Sequence, residues 1–253
     1  MSGLNVSREE QVARVVFDRP STLNALSPRL LGDLIETCAD LQKSDSVRVV
    51  VFQGAGECFS AGADLPAFLT LLTGTDAHEA ADLGRRATNA IAELPQITIA
   101  AIRGHCVGGG LVLAGACDIR VAADDARFMI PELDAGIPLA WGGMKHLIGL
   151  VGSTLAADLV LSCRPFGSDE ALRGGLISRI VSVDRLEEEV ATLVAAIIRK
   201  PLSVLRATKR QLIAIRAGTF DAREDAAALL AALRDPEAQA VGQKYLKKRL
   251  HKG

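Results

Sequence analysis

The chain has 253 residues, of which 49% are hydrophobic and 23% charged, and its formal net charge is −1. That length and apolar content can bury a sizeable core, so we expect one domain with a helical extension. The balanced charge argues against a general affinity for nucleic acid or for anionic membranes, so any anion site must be local.

The N-terminus and the cysteines predict a cytoplasmic protein. Residues Met1 to Asn5 lack the basic stretch and apolar core of a signal peptide. No run approaches the roughly 18–20 apolar residues that cross a bilayer. The 5 cysteines include no CxxC and no metal-ligand spacing, which indicates reduced thiols. No pair of histidines has ligand spacing either, so no metal is expected.

Strand and helix signals alternate through the first half. Val12 to Phe17 is a β-branched run, and a helix follows it with Ser27 as N-cap and Pro28 in its first turn. The apolar residues of that helix recur at helical spacing: Leu30, Leu31, Leu34, Ile35, Cys38 and Leu41. Further strands are expected at 47–52, 97–102 and 119–122, with a mostly helical stretch at 65–94 that breaks near 73–76. This order favours a parallel sheet in an α/β fold.

From Gly143 onward, helical signals dominate. Ser153 and Ser168 are typical N-caps, and two glycines at 174–175 precede a short strand at 180–183. Amphipathic helices are predicted at 186–198 and 204–215, on either side of Pro201, and an Ala/Leu-rich and then basic segment runs from 224 to 250. We therefore divide the chain into a core over residues 1–195 and a helical C-terminal region over 196–253.

Two glycine-bearing loops follow predicted strands. Residues 59–65 read FSAGADL, and residues 104–110 read GHCVGGG. Small residues at a strand-to-helix turn leave backbone N–H groups uncovered, and two converging N–H groups can stabilise negative charge on a carbonyl oxygen. Glu132, downstream in PELDAG, could move protons beside that oxygen. Taken singly, the glycines also fit tight turns and Glu132 a surface position. Together the three segments indicate enolate chemistry.

At these residues the chain resembles the crotonase family, the enoyl-CoA hydratases and isomerases. Four segments occur in the family's order: RPSTLNAL at 19–26, FSAGADL at 59–65, VGGG at 107–110 and YLKKR at 245–249. The resemblance implies a ββα spiral core with a helical C-terminal trimerisation region. It also implies an acyl-CoA thioester as substrate, no separate cofactor, and a homotrimer or homohexamer.

The resemblance assigns roles to individual residues. The backbone N–H groups of Ala63 and Gly109 would form an oxyanion hole, where Gly109 could adopt backbone angles closed to its neighbours, and Glu132 would shuttle a proton. Further residues would contact the acyl-CoA: Thr22, Leu23, Ala25, Ala61, Asp64, Leu65, Pro66, Val112, Leu139, Trp141 and Lys248. Some of these have a plain structural alternative. Asp64 could cap the next helix, and Trp141 could pack in the core. By the same resemblance, Lys209, Lys248 and Arg249 would border the CoA nucleotide and its phosphate groups. All three could instead belong to a solvated helical tail.

One departure from the family bears on the mechanism. A hydratase of this family holds a water between two glutamates, and here the first position is Val112 and the second Glu132. One carboxylate is enough to move a double bond from C3 to C2, and this combination resembles the mitochondrial type of Δ3,Δ2-enoyl-CoA isomerase. An apolar Val112 should also raise the pKa of Glu132. If its segment is extended, Asp134 is a reserve candidate for the missing carboxylate.

Several functions stay open at this point. Isomerisation is slightly favoured over hydration. Because Val112 replaces a family glutamate, a non-catalytic acyl-CoA binding protein is a further alternative. A ligand-free scaffold would leave both glycine loops without a purpose. Ser60 lacks the G-x-S-x-G context of a nucleophilic hydrolase. The segment at 138–143, PLAWGG, departs from the family's pattern, so acyl preference does not carry over.

Overall fold

The computed structural model describes residues 3–250. The strands, in chain order, are β1 (Leu4–Glu9), β2 (Val12–Phe17), β3 (Val49–Gly54), β4 (Ile97–Ile102), β5 (His105–Val107), β6 (Ile119–Ala123), β7 (Arg127–Met129), β8 (Phe166–Gly167) and β9 (Arg179–Val181). The α-helices are α1 (Pro28–Gln42), α2 (Leu65–Leu72), α3 (Ala77–Ala92), α4 (Gly109–Ala116), α5 (Gly143–Ser162), α6 (Ser168–Arg173), α7 (Leu186–Ile198), α8 (Leu202–Ala217), α9 (Glu224–Arg234) and α10 (Pro236–Leu250).

The main sheet is 6-stranded, in the order β1-β2-β3-β4-β6-β9. β1 pairs antiparallel with β2, and every later pair is parallel. Parallel neighbours need crossover connections, which the helices between these strands provide. Every residue of β4 is buried, which explains its nearly unbroken apolar sequence. The predicted α/β fold with a parallel sheet is confirmed.

A 3-stranded sheet, β5-β7-β8, adjoins the loops that follow the main strands. β5 and β7 are parallel, with Val107 opposite Met129. Two isolated bridges extend this pairing, one between Leu26 and Ala63 and one between Ser60 and Cys106. The loops after β2, β3 and β4 therefore lie side by side, and this arrangement builds the site described below.

The sequence does not predict β1. Its residues, LNVSRE, show no apolar run, and all of them after Leu4 are exposed. The strand forms because each residue pairs with β2, from Leu4 opposite Phe17 to Glu9 opposite Val12. Hydrogen bonding to β2 therefore forms this strand, although its own sequence does not predict one.

The predicted helix caps meet different outcomes. Ser27 caps α1 and accepts a hydrogen bond from the Leu30 N–H at 3.2 Å. Ser168 is instead the first residue of α6, whose N-cap is Gly167. The Ser168 hydroxyl donates to the Ala123 carbonyl at 2.6 Å, so it ties the helix to β6.

By length and composition alone, α5 is apolar enough to cross a membrane, with a mean hydropathy of 1.4. The sequence does not predict such a segment, because polar residues interrupt the apolar residues of this helix. Gly152 interrupts its geometry with φ 77° and ψ 165°, directly before the predicted cap Ser153. Leu147 and Leu159 lie in the hydrophobic core. Within this fold α5 is a kinked helix that packs against α4.

The expected C-terminal region, residues 196–253, starts inside α7, and the helices α8, α9 and α10 follow Pro201. Lys209 is the buried residue of α8, and α9 has none. Leu229 and Leu233 on α9 are 61% and 60% exposed. The apolar stripe of this region is therefore uncovered within the single chain.

Candidate active site

One cavity of about 210 Å³ lies between α2, α3, α4 and the loop after β7. Its lining is almost wholly apolar: Ala63, Leu65, Phe68, Leu72, Ala81, Gly109, Val112, Glu132, Ile137, Pro138, Leu139, Ala140 and Trp141. All three predicted catalytic residues meet here. Among the described residues that line it, Glu132 is the only ionisable one.

The backbone pairing turns the N–H of Ala63 toward the second glycine loop. Leu26 donates to the Gly62 carbonyl at 2.8 Å and accepts from the Asp64 N–H at 3.0 Å. In a parallel bridge this pattern uses the neighbours of Ala63, so its own N–H faces the opposite edge. Gly109 is the first residue of α4, where an N–H has no helical partner. A carbon built on Gly62 would lie 3.6 Å from the Gly109 nitrogen, so the two segments are in close contact.

Glycine is required at 108 and 109 for different reasons. The positive φ belongs to Gly108, at 49°, and not to Gly109 as expected. Gly109 is helical, and its constraint is steric, because a methyl group there would overlap the benzene ring of the Trp141 indole. Because Gly108 with its positive φ comes directly before the helix start, the N–H of the buried Gly109 is left without a helical partner.

Glu132 lies beside this helix start because of the parallel pair β5 and β7. The Gly108 N–H donates to the Met129 carbonyl at 2.9 Å, three residues before Glu132. A carbon built on Gly108 would lie 2.7 Å from Oε1 of Glu132. Oε2 is buried and has no hydrogen-bond partner among the described residues. Burial raises the pKa of the Glu132 carboxyl above its ordinary range. An apolar cavity with one such carboxylate suits proton transfer at carbon.

Val112 and Asp134 differ sharply in position. Val112 is 3% exposed on α4 and lines the same cavity as Glu132. Asp134 is exposed and lies outside the lining. Residues 132–136 form turns instead of the extended segment that would put both acids on one face. Asp134 is therefore not the missing carboxylate, and the reserve assignment is wrong.

The first predicted acyl-CoA loop borders the second without lining the cavity. The carbonyl of Leu23 accepts from the Ala61 N–H at 2.9 Å. Between them Asn24, fully buried, donates to the Ala55 and Cys58 carbonyls at 2.9 and 2.8 Å. Thr22 and Leu23 are exposed, whereas Ala25 and Ala61 are half-buried. None of these four predicted contacts lines the cavity.

Asp64 has the structural role that its sequence context suggests. Its Oδ1 accepts from the Ala67 N–H at 3.4 Å at the start of α2. Its Oδ2 pairs with Arg19 Nη1 at 2.9 Å. Leu65, the first residue of α2, lines the cavity, whereas the exposed Pro66 does not.

The basic residues singled out in the C-terminal region are not at the cavity. Lys248 is exposed on α10 and is not among the lining residues. Lys209 is fully buried, and its Nζ pairs with Asp118 Oδ2 at 2.6 Å. It cannot meet a solvent-borne phosphate, so that expectation is wrong. The side chain of Arg249 lies outside the described part of the chain.

Six lining residues are absent from the predicted site residues: Phe68, Leu72, Ala81, Ile137, Pro138 and Ala140. The helical spacing of Leu65, Phe68 and Leu72 predicts that they share one face of α2. It does not predict that this face lines the cavity. In the described residues no cluster of His, Cys, Asp and Glu could hold a metal ion. All five cysteines are free and buried.

Comparison with known proteins agrees with this geometry. A family model for enoyl-CoA hydratase/isomerase matches residues 7–244. A probable enoyl-CoA hydratase, echA17, of Mycobacterium avium is 35% identical over 209 residues, which cover 83% of this chain and 80% of that protein. A crotonyl-CoA hydratase of Syntrophomonas wolfei is 33% identical over 205 residues, covering 81% and 78%.

Solved structures share the fold. An enoyl-CoA hydratase from Bacillus anthracis superposes with a TM-score of 0.90 at 27% identity, over 97% of this chain and 96% of that one. A putative enoyl-CoA hydratase from Thermobifida fusca, solved with acetoacetyl-CoA, gives a TM-score of 0.84 at 31% identity, over 92% and 95%. The fold is thus the crotonase fold with its helical C-terminal segment, and this chain is an acyl-CoA enzyme of the enoyl-CoA hydratase/isomerase family.

Proposed function

We propose that this enzyme isomerises 3-enoyl-CoA thioesters to 2-enoyl-CoA thioesters. The main support for this proposal is that Glu132 is the only ionisable group among the described residues that line the cavity. Val112 lines the same cavity. Moving a double bond needs one base. Adding water needs a base for the water and an acid for C2, a task for which two carboxylates are suited.

In the proposed reaction Glu132 removes a proton from C2 of the substrate and returns it to C4. The electron pair released at C2 passes to the thioester oxygen, which becomes an enolate. The N–H groups of Ala63 and Gly109 then stabilise the negative charge. The raised pKa of Glu132 supports this role, because a stronger base takes a carbon-bound proton more readily. The apolar lining keeps water from the intermediate.

The substrate class is supported by the relatives. The Thermobifida fusca structures were solved with acetoacetyl-CoA and with CoA. In this chain the loop around Leu23, hydrogen-bonded to Ala61, and the exposed Lys248 are the proposed contacts for the CoA portion. The uncovered apolar side chains of α9 support a homotrimer or homohexamer as the proposed assembly.

The second candidate is hydration of 2-enoyl-CoA. The names of the relatives favour it, since hydratases predominate among them. Hydration by this chain would need Glu132 to serve both as the base for water and as the acid for C2. A non-catalytic acyl-CoA binding protein is the remaining alternative, because Val112 replaces a family carboxylate.

One comparison tests the proposal. Purified protein is assayed with 3-enoyl-CoA for isomerisation and with 2-enoyl-CoA for hydration under identical conditions. We expect isomerisation to have the larger kcat/KM. Faster hydration would establish the hydratase instead, and binding without turnover of either substrate would establish the non-catalytic protein.

A further inference from the structure

The indole of Trp141 is held between two glycines on different helices. A methyl group built on Gly84 of α3 would overlap Cε2, Cδ2 and Nε1, the pyrrole side of the ring. A methyl group built on Gly109 of α4 would overlap Cζ3, on the benzene side. Each glycine thus leaves the space of one side chain, and the indole fills both spaces.

The backbone of Trp141 is strained in this position. Its φ is 58°, in the left-handed region, and Gly142 follows with φ 74°. The left-handed region is unfavourable for a non-glycine residue, and such a backbone persists only where the surroundings over-determine it. The packing of the indole against Gly84 and Gly109 supplies that constraint. Phe68 adds to it, because its ring centroid is 5.9 Å from that of the indole.

The held indole limits the size of the cavity. Trp141 lines it beside Gly109, so the ring occupies the space between the proposed oxyanion donor and α3. The remaining volume is about 210 Å³. Pockets that enclose drug-sized ligands run to roughly 300–1,000 Å³. A cavity below that range fits a short acyl group.

We propose that Trp141 restricts this enzyme to short-chain acyl thioesters, and that Gly84 is the positioning residue that holds Trp141 in place. The inference rests on the proposed function for its acyl-CoA ligands. Gly84 does not line the cavity. It acts only through the indole, so its effect should vanish when the indole is removed.

The experiment measures dissociation constants by calorimetry for butanoyl-CoA, octanoyl-CoA and dodecanoyl-CoA, with isomerisation and hydration assayed separately. The variants are Trp141→Ala, Trp141→Phe, Gly84→Ala and the double variant Gly84→Ala/Trp141→Ala. Gly32→Ala is the matched control, because Gly32 is also inside a helix and a carbon built there meets nothing within 4 Å.

Wild type should bind butanoyl-CoA more tightly than dodecanoyl-CoA. Trp141→Ala should improve the relative affinity for dodecanoyl-CoA by at least about tenfold, the lower end of what one methylene decides in a pocket. Trp141→Phe should shift it in the same direction by less, and it serves if the alanine variant does not fold. Gly84→Ala should weaken butanoyl-CoA binding in the wild-type background and have little effect in the Trp141→Ala background.

Unchanged chain-length preference in both Trp141 variants would overturn the inference, as would an equal effect of Gly84→Ala in the two backgrounds or in Gly32→Ala. If the expected binding pattern appears without turnover, the inference stands and the proposed isomerase fails. If no acyl-CoA binds at all, both fail.

Discussion

The Glu132 carboxylate occupies the space that a side chain at Gly108 would need, because a carbon built on Gly108 would lie only 2.7 Å from Oε1. Gly108 immediately precedes Gly109, the proposed oxyanion donor. The parallel strands β5 and β7 enforce this proximity, since each leads into one of the two groups. The proposed base and the proposed donor therefore share one rigid frame, which is what preorganised catalysis requires.

The first prediction concerns the base. Glu132→Gln should lower turnover by at least about 10²-fold, the scale of a lost general base. Binding of acyl-CoA should change little, because the amide has nearly the same shape. Asp134→Asn is the matched control, two residues away and exposed. Near-normal kcat in the Gln variant would remove Glu132 from the mechanism, and an equal loss in the Asn variant would implicate Asp134.

The pH dependence follows from the burial of Glu132. Its pKa is raised in the folded state, and a base must be deprotonated to act. We expect kcat/KM to rise with pH, with an inflection above the ordinary glutamate range. Val112→Thr should move that inflection to lower pH, since a hydroxyl can solvate the carboxylate, whereas Val112→Ala keeps the lining apolar. A wild-type inflection at the pKa of an exposed glutamate would contradict this account.

The same pKa predicts a stability effect. Native Glu132 binds its proton more tightly than the unfolded chain does. Its stabilising contribution is therefore complete below the unfolded pKa and is lost as pH rises through the folded pKa. Because Glu132→Gln carries no charge to bury, the variant should be at least as stable as wild type at neutral pH. Denaturant unfolding of both proteins at acidic and neutral pH measures this, and a less stable variant at neutral pH would count against it.

A fourth prediction concerns the missing carboxylate. Val112→Glu should raise hydration relative to isomerisation, because a second carboxylate in the cavity can help to hold a water. Two acids in one dry site cannot both ionise easily, so one of the pair should titrate with a raised pKa. Both activities are measured in the variant and in Val112→Gln, which has the same length without the charge. An unchanged ratio would show that Val112 does not withhold hydration.

The buried ion pair gives a prediction about stability alone. Lys209→Met removes the nearer of the two cations that pair with the 4% exposed Asp118, while Arg216 Nη1 remains 3.1 Å from its Oδ1. The loss should cost about 1.5–3 kcal/mol of unfolding free energy, the range for a hydrogen bond to a charged group. Arg206→Met is the control, since its partner Asp45 is 95% exposed and surface pairs contribute about 0–1 kcal/mol. Urea titrations compare the two. Similar losses in both variants would refute the assignment of Lys209 as a core residue.

Local sequence signals determined much of this protein. Three of these signals each act over a few residues: the β-branched runs of β2 and β3, the Ser27 cap, and the helical spacing in α1. They can therefore be recognised without knowledge of the fold. The order of the glycine loops and Glu132 indicated the chemistry, because the residue types and their separations are themselves sequence properties.

What only the tertiary structure decided depends on contacts between distant segments. β1 forms through pairing with β2, and Lys209 is buried because Asp118, far away in sequence, accepts its charge. The turns at 132–136 exclude Asp134 from the site. The Trp141 indole packs against both Gly84 and Gly109, and no sequence pattern links these two glycines. Only packing shows that a glycine was needed for the side chain of another residue.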